Sequence, residues 1–465
     1  MDNILLLTDS YKVTHWKQYP PKAETIYSYF ESRGGKWQNV VFFGLQYYLK
    51  QYLSGNVVTR ERIDEAEELF AQHFGTKNYF NRAGWDLMLE KYGGCLPVRI
   101  KAVPEGTAVP QRNVLMTVEN TDKDFPWLTN YLETLLVQTW YGSTVATQSH
   151  EMRLLILKYL KETGTEELVD FKLHDFGFRG VSSVESAGVG GMAHLVSFKG
   201  TDTIAALRFA RDYYGEPIAG FSIPAAEHST ITSWGKEHEL DAMRNMLTQF
   251  PTGTVACVSD SFNIFEACRD IWGGRLKENV MARNGTLVIR PDSGDPIQVL
   301  VKGIPNVFDI LAEKFGYVVN SKGYKVLNDN VRVIQGDGID FEMIGAILEA
   351  MKEEGYSADN IAFGSGGALL QKMNRDTLKF AFKSSSVVVD GVRRDVYKTP
   401  FTDIAKQSKR GRLSLVRDEL GIFRTVREKD ALEGANCLVE VFCNGEILKE
   451  WSFAEVRQNA LDSSS

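Results

Sequence analysis

Cysteine is scarce in this chain: there are five in 465 residues, Cys95, Cys257, Cys268, Cys437 and Cys443, an odd number with no CxxC pair among them. That excludes a disulfide framework as the source of stability and a thiolate zinc site as the source of chemistry. Long apolar runs are missing too. The run Ile4–Leu7 gives way at once to Asp9, Tyr11 and Lys12, and no stretch approaches the roughly 20 apolar residues of a membrane span. A cytoplasmic protein without a membrane partner is expected. Nor is there an excess of one charge: the net charge is -7, with both signs interspersed. A nucleic-acid partner is therefore not expected, and any anion must be gripped by a local cluster. The chain has no internal repeat, no low-complexity segment beyond Ser463–Ser465 and no HExxH motif, which leaves no signal for a solenoid or a histidine zinc site.

What is present is a composition of 43% hydrophobic and 24% charged residues, enough for a large core, on a chain long enough for two or more domains. Up to about residue 165 the signals are mixed: an amphipathic helix at 61–74, a strand at 96–103 and a long helical pattern from Trp127 to about Leu160. From about 170 a unit recurs in which a short apolar run precedes a helix-like segment. The runs are 171–176, 194–198, 218–223, 254–258, 286–289, 331–334 and 361–363, and they alternate with helices such as 203–214, 306–315 and 341–354. Apolar strands alternating with helices predict a parallel α/β sheet, and about seven units favour an irregular barrel over an open sheet. After about 380 the rhythm lapses into β-like 385–389 and a basic stretch from Lys406 to Arg417. Two domains are expected: residues 1–165 with 385–465 as an α+β domain built from both chain ends, and residues 166–384 as an α/β barrel-like domain.

The polar residues that could carry chemistry collect just after the apolar runs: His174, Asp175 and Arg179; Asp202; Glu227 and His228; Asp260; Arg290 and Asp292; Asp337; and Gly364 to Gly367. In a barrel such positions converge on the C-terminal mouth, where active sites of this architecture lie. The glycine-rich stretch Phe363-Gly364-Ser365-Gly366-Gly367, followed by Arg375, suits a phosphate cradled by backbone amides. Several carboxylates near an arginine, in Arg290-Pro291-Asp292-Ser293-Gly294-Asp295, Ser259-Asp260-Ser261 and Gly336-Asp337-Gly338, suit a Mg-bound diphosphate or a ribose diol. The cluster Lys406-Gln407-Ser408-Lys409-Arg410-Gly411-Arg412 reads as a solvated loop or a lid over phosphates. It has no interleaved aromatics for nucleic acid.

Taken in order, Asp9-Ser10-Tyr11-Lys12-Val13-Thr14-His15, His174-Asp175-Phe176-Gly177-Phe178-Arg179-Gly180, Gly200-Thr201-Asp202-Thr203, Pro224-Ala225-Ala226-Glu227-His228-Ser229, Ile289-Arg290-Pro291-Asp292-Ser293-Gly294, Gln335-Gly336-Asp337-Gly338 and the Gly364–Gly367 stretch closely resemble the nicotinamide phosphoribosyltransferases, from about residue 9 to about 460. The resemblance implies a type II phosphoribosyltransferase fold, an α/β barrel-like domain beside an α+β domain, assembled as an obligate homodimer with active sites at the interface. It implies transfer of phosphoribose from phosphoribosyl pyrophosphate to nicotinamide in NAD salvage, with ATP as a stimulating cosubstrate. By the same resemblance Phe176 and the partner copy's Tyr11 would stack on the pyridine ring, Asp202 would bind the carboxamide and Arg179 would line the base site. Arg290 and Asp292 would face the ribose and diphosphate. Ser222, Gly336, Asp337, Gly338, Gly366, Gly367, Arg33, Arg375, Lys398 and Lys406 would hold ribose and phosphates. His228 would take a phosphoryl group from ATP, oriented by Asp260. Mg²⁺ would be held mainly through the diphosphate, with Asp260 and Asp292 as candidate carboxylates. Ala368 stands where vertebrate members have a third glycine and the connection from Arg33 to Gly44 is short, which points to a bacterial-type member. Nicotinate phosphoribosyltransferase, or a noncatalytic ligand-binding protein on the same fold, are the alternatives. Asp202 speaks against the first, because it would face a substrate carboxylate with a like charge, and the presence of His228, Asp292 and Arg290 speaks against the second.

Overall fold

Both ends of the chain contribute to one antiparallel sheet. Seven strands lie in the order 392–395, 380–389, 23–32, 114–120, 98–102, 439–443 and 446–447, every neighbouring pair antiparallel. The strand Ala23–Ser32 sits inside this order, and its last seven residues are buried. There Phe30 pairs with Phe382 in register and stacks on Phe380 with ring centroids 5.1 Å apart, the kind of cross-strand aromatic contact that fixes register. The computed structural model describes residues 2–399 and 407–463, in two compact units. This sheet belongs to the unit made of Met1–Thr147, Ala210–Glu216 and Met373–Ser465; Gln148–Phe209 with Pro217–Lys372 forms the other. Lys406 lies outside the described residues.

The second unit is built on six parallel strands in the order Gly200–Thr201, Leu173–Asp175, Ile361–Ser365, Val331–Gln335, Leu287–Arg290 and Val255–Val258. Their Val, Ile and Leu content follows from burial on both faces. The sheet does not end in two open edges. Phe221 bridges Gly200 at one edge, while Ala225 bridges Ala256 at the other, through hydrogen bonds such as Thr201 N to Phe221 O at 3.0 Å and Ala256 N to Pro224 O at 2.9 Å. The irregular segment 221–225 thus links the two edge strands through one bridge at each and curls the sheet into a ring. The helices expected at 203–214, 306–315 and 341–354 form at Ile204–Tyr214, Val307–Phe315 and Phe341–Glu353, the last two N-capped by the Asn306 and Asp340 side chains.

Three expectations are corrected. Residues 218–223 are not a strand: they run irregularly, with single bridges at Phe221 and, just beyond, at Ala225. Residues 194–198 are not a strand: they complete the turn after the helix Val184–His194, with Leu195 N bonded to Gly191 O and Phe198 N to His194 O. Their apolar character reflects burial and not strand pairing. The long pattern from Trp127 is interrupted into helices Leu128–Tyr131, Glu133–Val137 and Thr139–Thr163. Among the described residues no helix is long and apolar enough to cross a membrane.

Candidate active site

Within the ring of strands lies a cavity of about 450 Å³. Lys172, Thr254 and Thr286, each just before a strand, line it together with Phe176, Asp202 and Arg290, which stand at or beyond strand ends. The cavity therefore runs along the strands and opens among the candidate functional residues. Its middle is apolar, formed by Ala256, Val288 and Ile334 with Phe176, Ile223 and Ala362 packed against them.

Phe176 follows the strand Leu173–Asp175, and its position depends on two glycines. A Cβ on Gly364 would fall 1.9 Å from Phe176 Cε2, and one on Gly336 would fall 3.4 Å from the same atom. The phenyl ring thus lies directly on the Gly364 backbone, which no other residue would permit without displacing it. Asp202 stands after the strand Gly200–Thr201. Its backbone N–H bonds Asp175 O at 3.0 Å, and its carboxylate accepts a hydrogen bond from the Ser222 hydroxyl. Thr201 Oγ1 receives the Thr203 N–H at 3.0 Å, a turn just ahead of the helix Ile204–Tyr214. Asp202 and Ser222 line the same cavity as Phe176. Asp175 is fully buried beneath them, and burial pushes its carboxyl up to about 6.

A second group gathers around His228, the first residue of the short helix His228–Thr232. Its Nε2 lies 3.0 Å from Asp260 Oδ1, and Nδ1 lies 3.9 Å from Asp292 Oδ2. Asp260 is held in turn: its Oδ2 accepts from the Asp292 backbone N–H at 3.2 Å and from Ser293 Oγ at 2.5 Å. Its side chain is 4% exposed and that of His228 46%, so a fixed carboxylate orients a ring that remains open to a ligand. Asp292 Oδ1 is 3.7 Å from Arg290 Nε, beyond hydrogen-bond reach, and that buried N–H has no partner among the described residues. Burial raises the Asp292 carboxyl above the usual range, with Arg290 opposing the shift. Gly336 adjoins Asp292, since a Cβ there would meet Oδ1 at 3.4 Å. Gly366 and Gly367 follow the strand Ile361–Ser365 and lie against the Phe176–Gly180 turn, with Gly367 Cα 3.5 Å from the position of a Cβ on Gly180. Asp337 and Gly338 are exposed beyond the strand Val331–Gln335, and Arg179 is exposed on the turn Phe178–Gly180.

The remaining described candidates are in the other unit. Tyr11, Arg33, Arg375 and Lys398 line one cavity of about 750 Å³. Arg112, Lys379 and Lys383 add three cations to it, none of which sequence reasoning singled out. For Lys383 a signal existed: it projects from the strand Phe380–Val389 in alternation with the buried Phe380 and Phe382. Crowding among these cations shows at Lys383, whose ammonium is lowered chiefly by burial and further by Arg33 and Arg375. Arg33 bonds Glu31 Oε1 through Nε at 2.8 Å, while its buried Nη2 has no partner among the described residues. An unsatisfied buried donor costs about 1–3 kcal/mol, and an anionic oxygen of a ligand could satisfy it. Tyr11 is 58% exposed at this cavity, on a segment clipped down by Lys12 Nζ to Glu133 Oε2 at 2.6 Å and by Thr134 Oγ1 to Asp9 Oδ2 at 2.7 Å.

Residues 171–446 match the model of the nicotinate phosphoribosyltransferase (NAPRTase) family, and residues 3–100 match the nicotinamide phosphoribosyltransferase N-terminal domain. The nicotinamide phosphoribosyltransferase of Xanthomonas campestris pv. campestris is 53% identical over 99% of this chain and 98% of its own length. The chain belongs to the nicotinamide phosphoribosyltransferase family. The Acinetobacter baylyi nicotinamide phosphoribosyltransferase is 33% identical over 98% of this chain and 96% of its own. Among solved structures, the nicotinate-nucleotide pyrophosphorylase of Pyrococcus furiosus superposes with a TM-score of 0.64 at 17% identity, covering 100% of this chain and 96% of its own. Human nicotinic acid phosphoribosyltransferase gives 0.58 at 18%, covering 98% and 93%. At that identity the likeness bears on the fold alone, which is the type II phosphoribosyltransferase fold.

In this nicotinamide phosphoribosyltransferase family member, a Mg²⁺ held mainly by substrate oxygens is compatible with the residues present. Mg²⁺ takes one or two carboxylates and completes its shell with phosphate and water. Among the described residues no group of three or more His, Cys, Asp or Glu side chains forms a metal cage. Asp260 has both oxygens engaged, whereas those of Asp292 lie beyond hydrogen-bond distance of Arg290 and His228.

Proposed function

We propose that this chain transfers the phosphoribosyl group of phosphoribosyl pyrophosphate to the ring nitrogen of nicotinamide, forming nicotinamide mononucleotide and pyrophosphate for NAD salvage. The observation that carries the choice of base is the pairing of Phe176 with Asp202 in one cavity, the Asp202 carboxylate being held by Ser222. A ring stacked on Phe176 presents its 3-substituent to Asp202. A carboxamide donates an N–H to that carboxylate, whereas the carboxylate of nicotinate would meet a like charge in a confined site.

As the C1–oxygen bond to pyrophosphate breaks, positive charge builds on the ribose and negative charge on the leaving group, as in glycoside cleavage. Stacking on Phe176 fixes the line of attack of the pyridine nitrogen. Arg290, with its unpartnered N–H, is placed to bind the diphosphate, while Asp292 lies beside it to face the ribose. Mg²⁺ on the diphosphate, with Asp292 as its protein contact, would supply further neutralisation of the leaving group. We read the working enzyme as a homodimer in which Tyr11, Arg33, Arg375 and Lys398 act on substrate held in the partner copy's barrel. The test of the reaction is pyrophosphate release by the protein with phosphoribosyl pyrophosphate and Mg²⁺. Release that begins only on adding nicotinamide is expected; base-independent release, or none, would contradict the reading.

ATP stimulation through a phosphohistidine is part of the same proposal. Asp260 holds Nε2 of His228 as the N–H side of the ring, which leaves Nδ1 with the lone pair that can attack the terminal phosphorus of ATP. His228→Ala should abolish stimulation by ATP and leave slow basal transfer. Stimulation that persists in the alanine variant, measured as initial rate with and without ATP, would remove His228 from this role.

A further inference from the structure

Asp175 takes no part in the chemistry just described, yet its position between two base-contacting residues is unusual. It is the last residue of the strand Leu173–Asp175 and completely buried. Its Oδ1 accepts the Gly177 N–H at 2.7 Å, and its backbone carbonyl accepts the Asp202 N–H at 3.0 Å. Phe176, lying between Asp175 and Gly177, is tied on its other side by its own N–H to Ser365 O at 2.9 Å. Gly191 of the helix Val184–His194 presses against the same carboxyl, since a Cβ there would lie 3.0 Å from Asp175 Oδ2. Oδ2 makes no close hydrogen bond among the described residues, although the Thr203 and Thr201 side chains lie near enough to oppose the upward pull of burial on the carboxyl. A carboxyl is costly to bury in a core, and its one close hydrogen bond is the one to the Gly177 N–H.

We propose that Asp175 is a positioning residue that fixes Phe176 and Asp202 relative to one another, so that the stacking face and the amide acceptor for nicotinamide are set by one side chain and its own carbonyl. The inference rests on the nicotinamide reading above. The carboxyl holds the turn that ends at Gly177 and therefore sets the direction in which Phe176 leaves the strand. The carbonyl of the same residue sets the height of Asp202 above the cavity. Losing the side-chain acceptor frees the turn but leaves the cation-lined cavity of the other unit untouched.

Asp175→Ala should raise KM for nicotinamide at least tenfold, leave KM for phosphoribosyl pyrophosphate within twofold, and lower kcat by less than KM rises. Asp175→Asn keeps an oxygen to accept the Gly177 N–H and should bring the nicotinamide KM back to within threefold of the parent. A merely structural role would weaken both substrates together. A nicotinamide KM within twofold of the parent in the alanine variant, or equal rises in both KM values, would overturn the proposal. Should the alanine variant fail to fold, hydrogen exchange on the unsubstituted chain decides. The amides of Gly177 and Asp202 should slow together on binding nicotinamide, and independent responses would overturn the coupling. Absence of nicotinamide turnover in the unsubstituted chain would instead overturn the functional reading itself.

Discussion

Gly364→Ala should lower kcat/KM for nicotinamide by about 100-fold, the loss that a displacement of about 1 Å in a reacting geometry can cause. The added methyl would fall 1.9 and 2.2 Å from Cε2 and Cδ2 of Phe176, so the ring must leave its place or the backbone must shift. Overpacking of this kind costs about 1–3 kcal/mol in a core. At the cavity mouth the ring can move instead, and the cost passes into substrate alignment. Gly336→Ala is a milder comparison for the ring, because its methyl meets Phe176 at 3.4 Å; it also meets Asp292 Oδ1 at 3.4 Å, so the comparison is read in the nicotinamide KM. Its loss should be much smaller. Steady-state kinetics on both variants, with thermal melting to show that they fold, checks the expectation. Equal activity in the Gly364 variant would mean that Phe176 is not the surface on which the base stacks.

Asp202→Asn should change which base is used more than how fast the enzyme works. A hydrogen bond to a charged acceptor contributes about 1.5–3 kcal/mol against about 0.5–1.5 for a neutral one, so kcat/KM for nicotinamide should fall roughly tenfold. Removing a like charge from the path of nicotinate relieves a penalty of several kcal/mol, about 100-fold or more, so together with the tenfold loss for nicotinamide the ratio of nicotinate to nicotinamide use should rise by about 1000-fold. Ser222 holds Asp202 in place and would still find an oxygen on Asn. An unchanged ratio of the two kcat/KM values would show that Asp202 does not read the 3-substituent.

Much of this site was legible in the sequence because barrel strands announce their own ends: a run buried on both faces stops where a polar residue enters the mouth, as at Asp175, Asp260 and Arg290. That logic found the His228, Asp260, Asp292 and Arg290 neighbours although 64 residues separate the first from the third. It failed at 194–198, where apolar residues cover a helix end and not a strand, because a short apolar run has no periodicity to separate the two. It failed again at 218–223, where the apolar run predicts a strand and the structure has only isolated bridges at Phe221 and Ala225 that close the ring. Lys379 and Arg112 were invisible for a different reason, and Lys383 showed only as the exposed position of an alternating strand. A cation lining a cavity resembles any surface cation until the fold brings several together. Asp175 was visible as a chemistry-bearing residue, but its role as a hinge between Phe176 and Asp202 depends on two hydrogen bonds that only coordinates reveal.

The most direct measurement of the central claim is product identity when the purified chain, Mg²⁺ and phosphoribosyl pyrophosphate are offered nicotinamide and nicotinate in parallel. The account predicts nicotinamide mononucleotide as the dominant product. Dominant nicotinate mononucleotide would keep the fold and the reaction but contradict the role assigned to Asp202 and with it the proposed substrate.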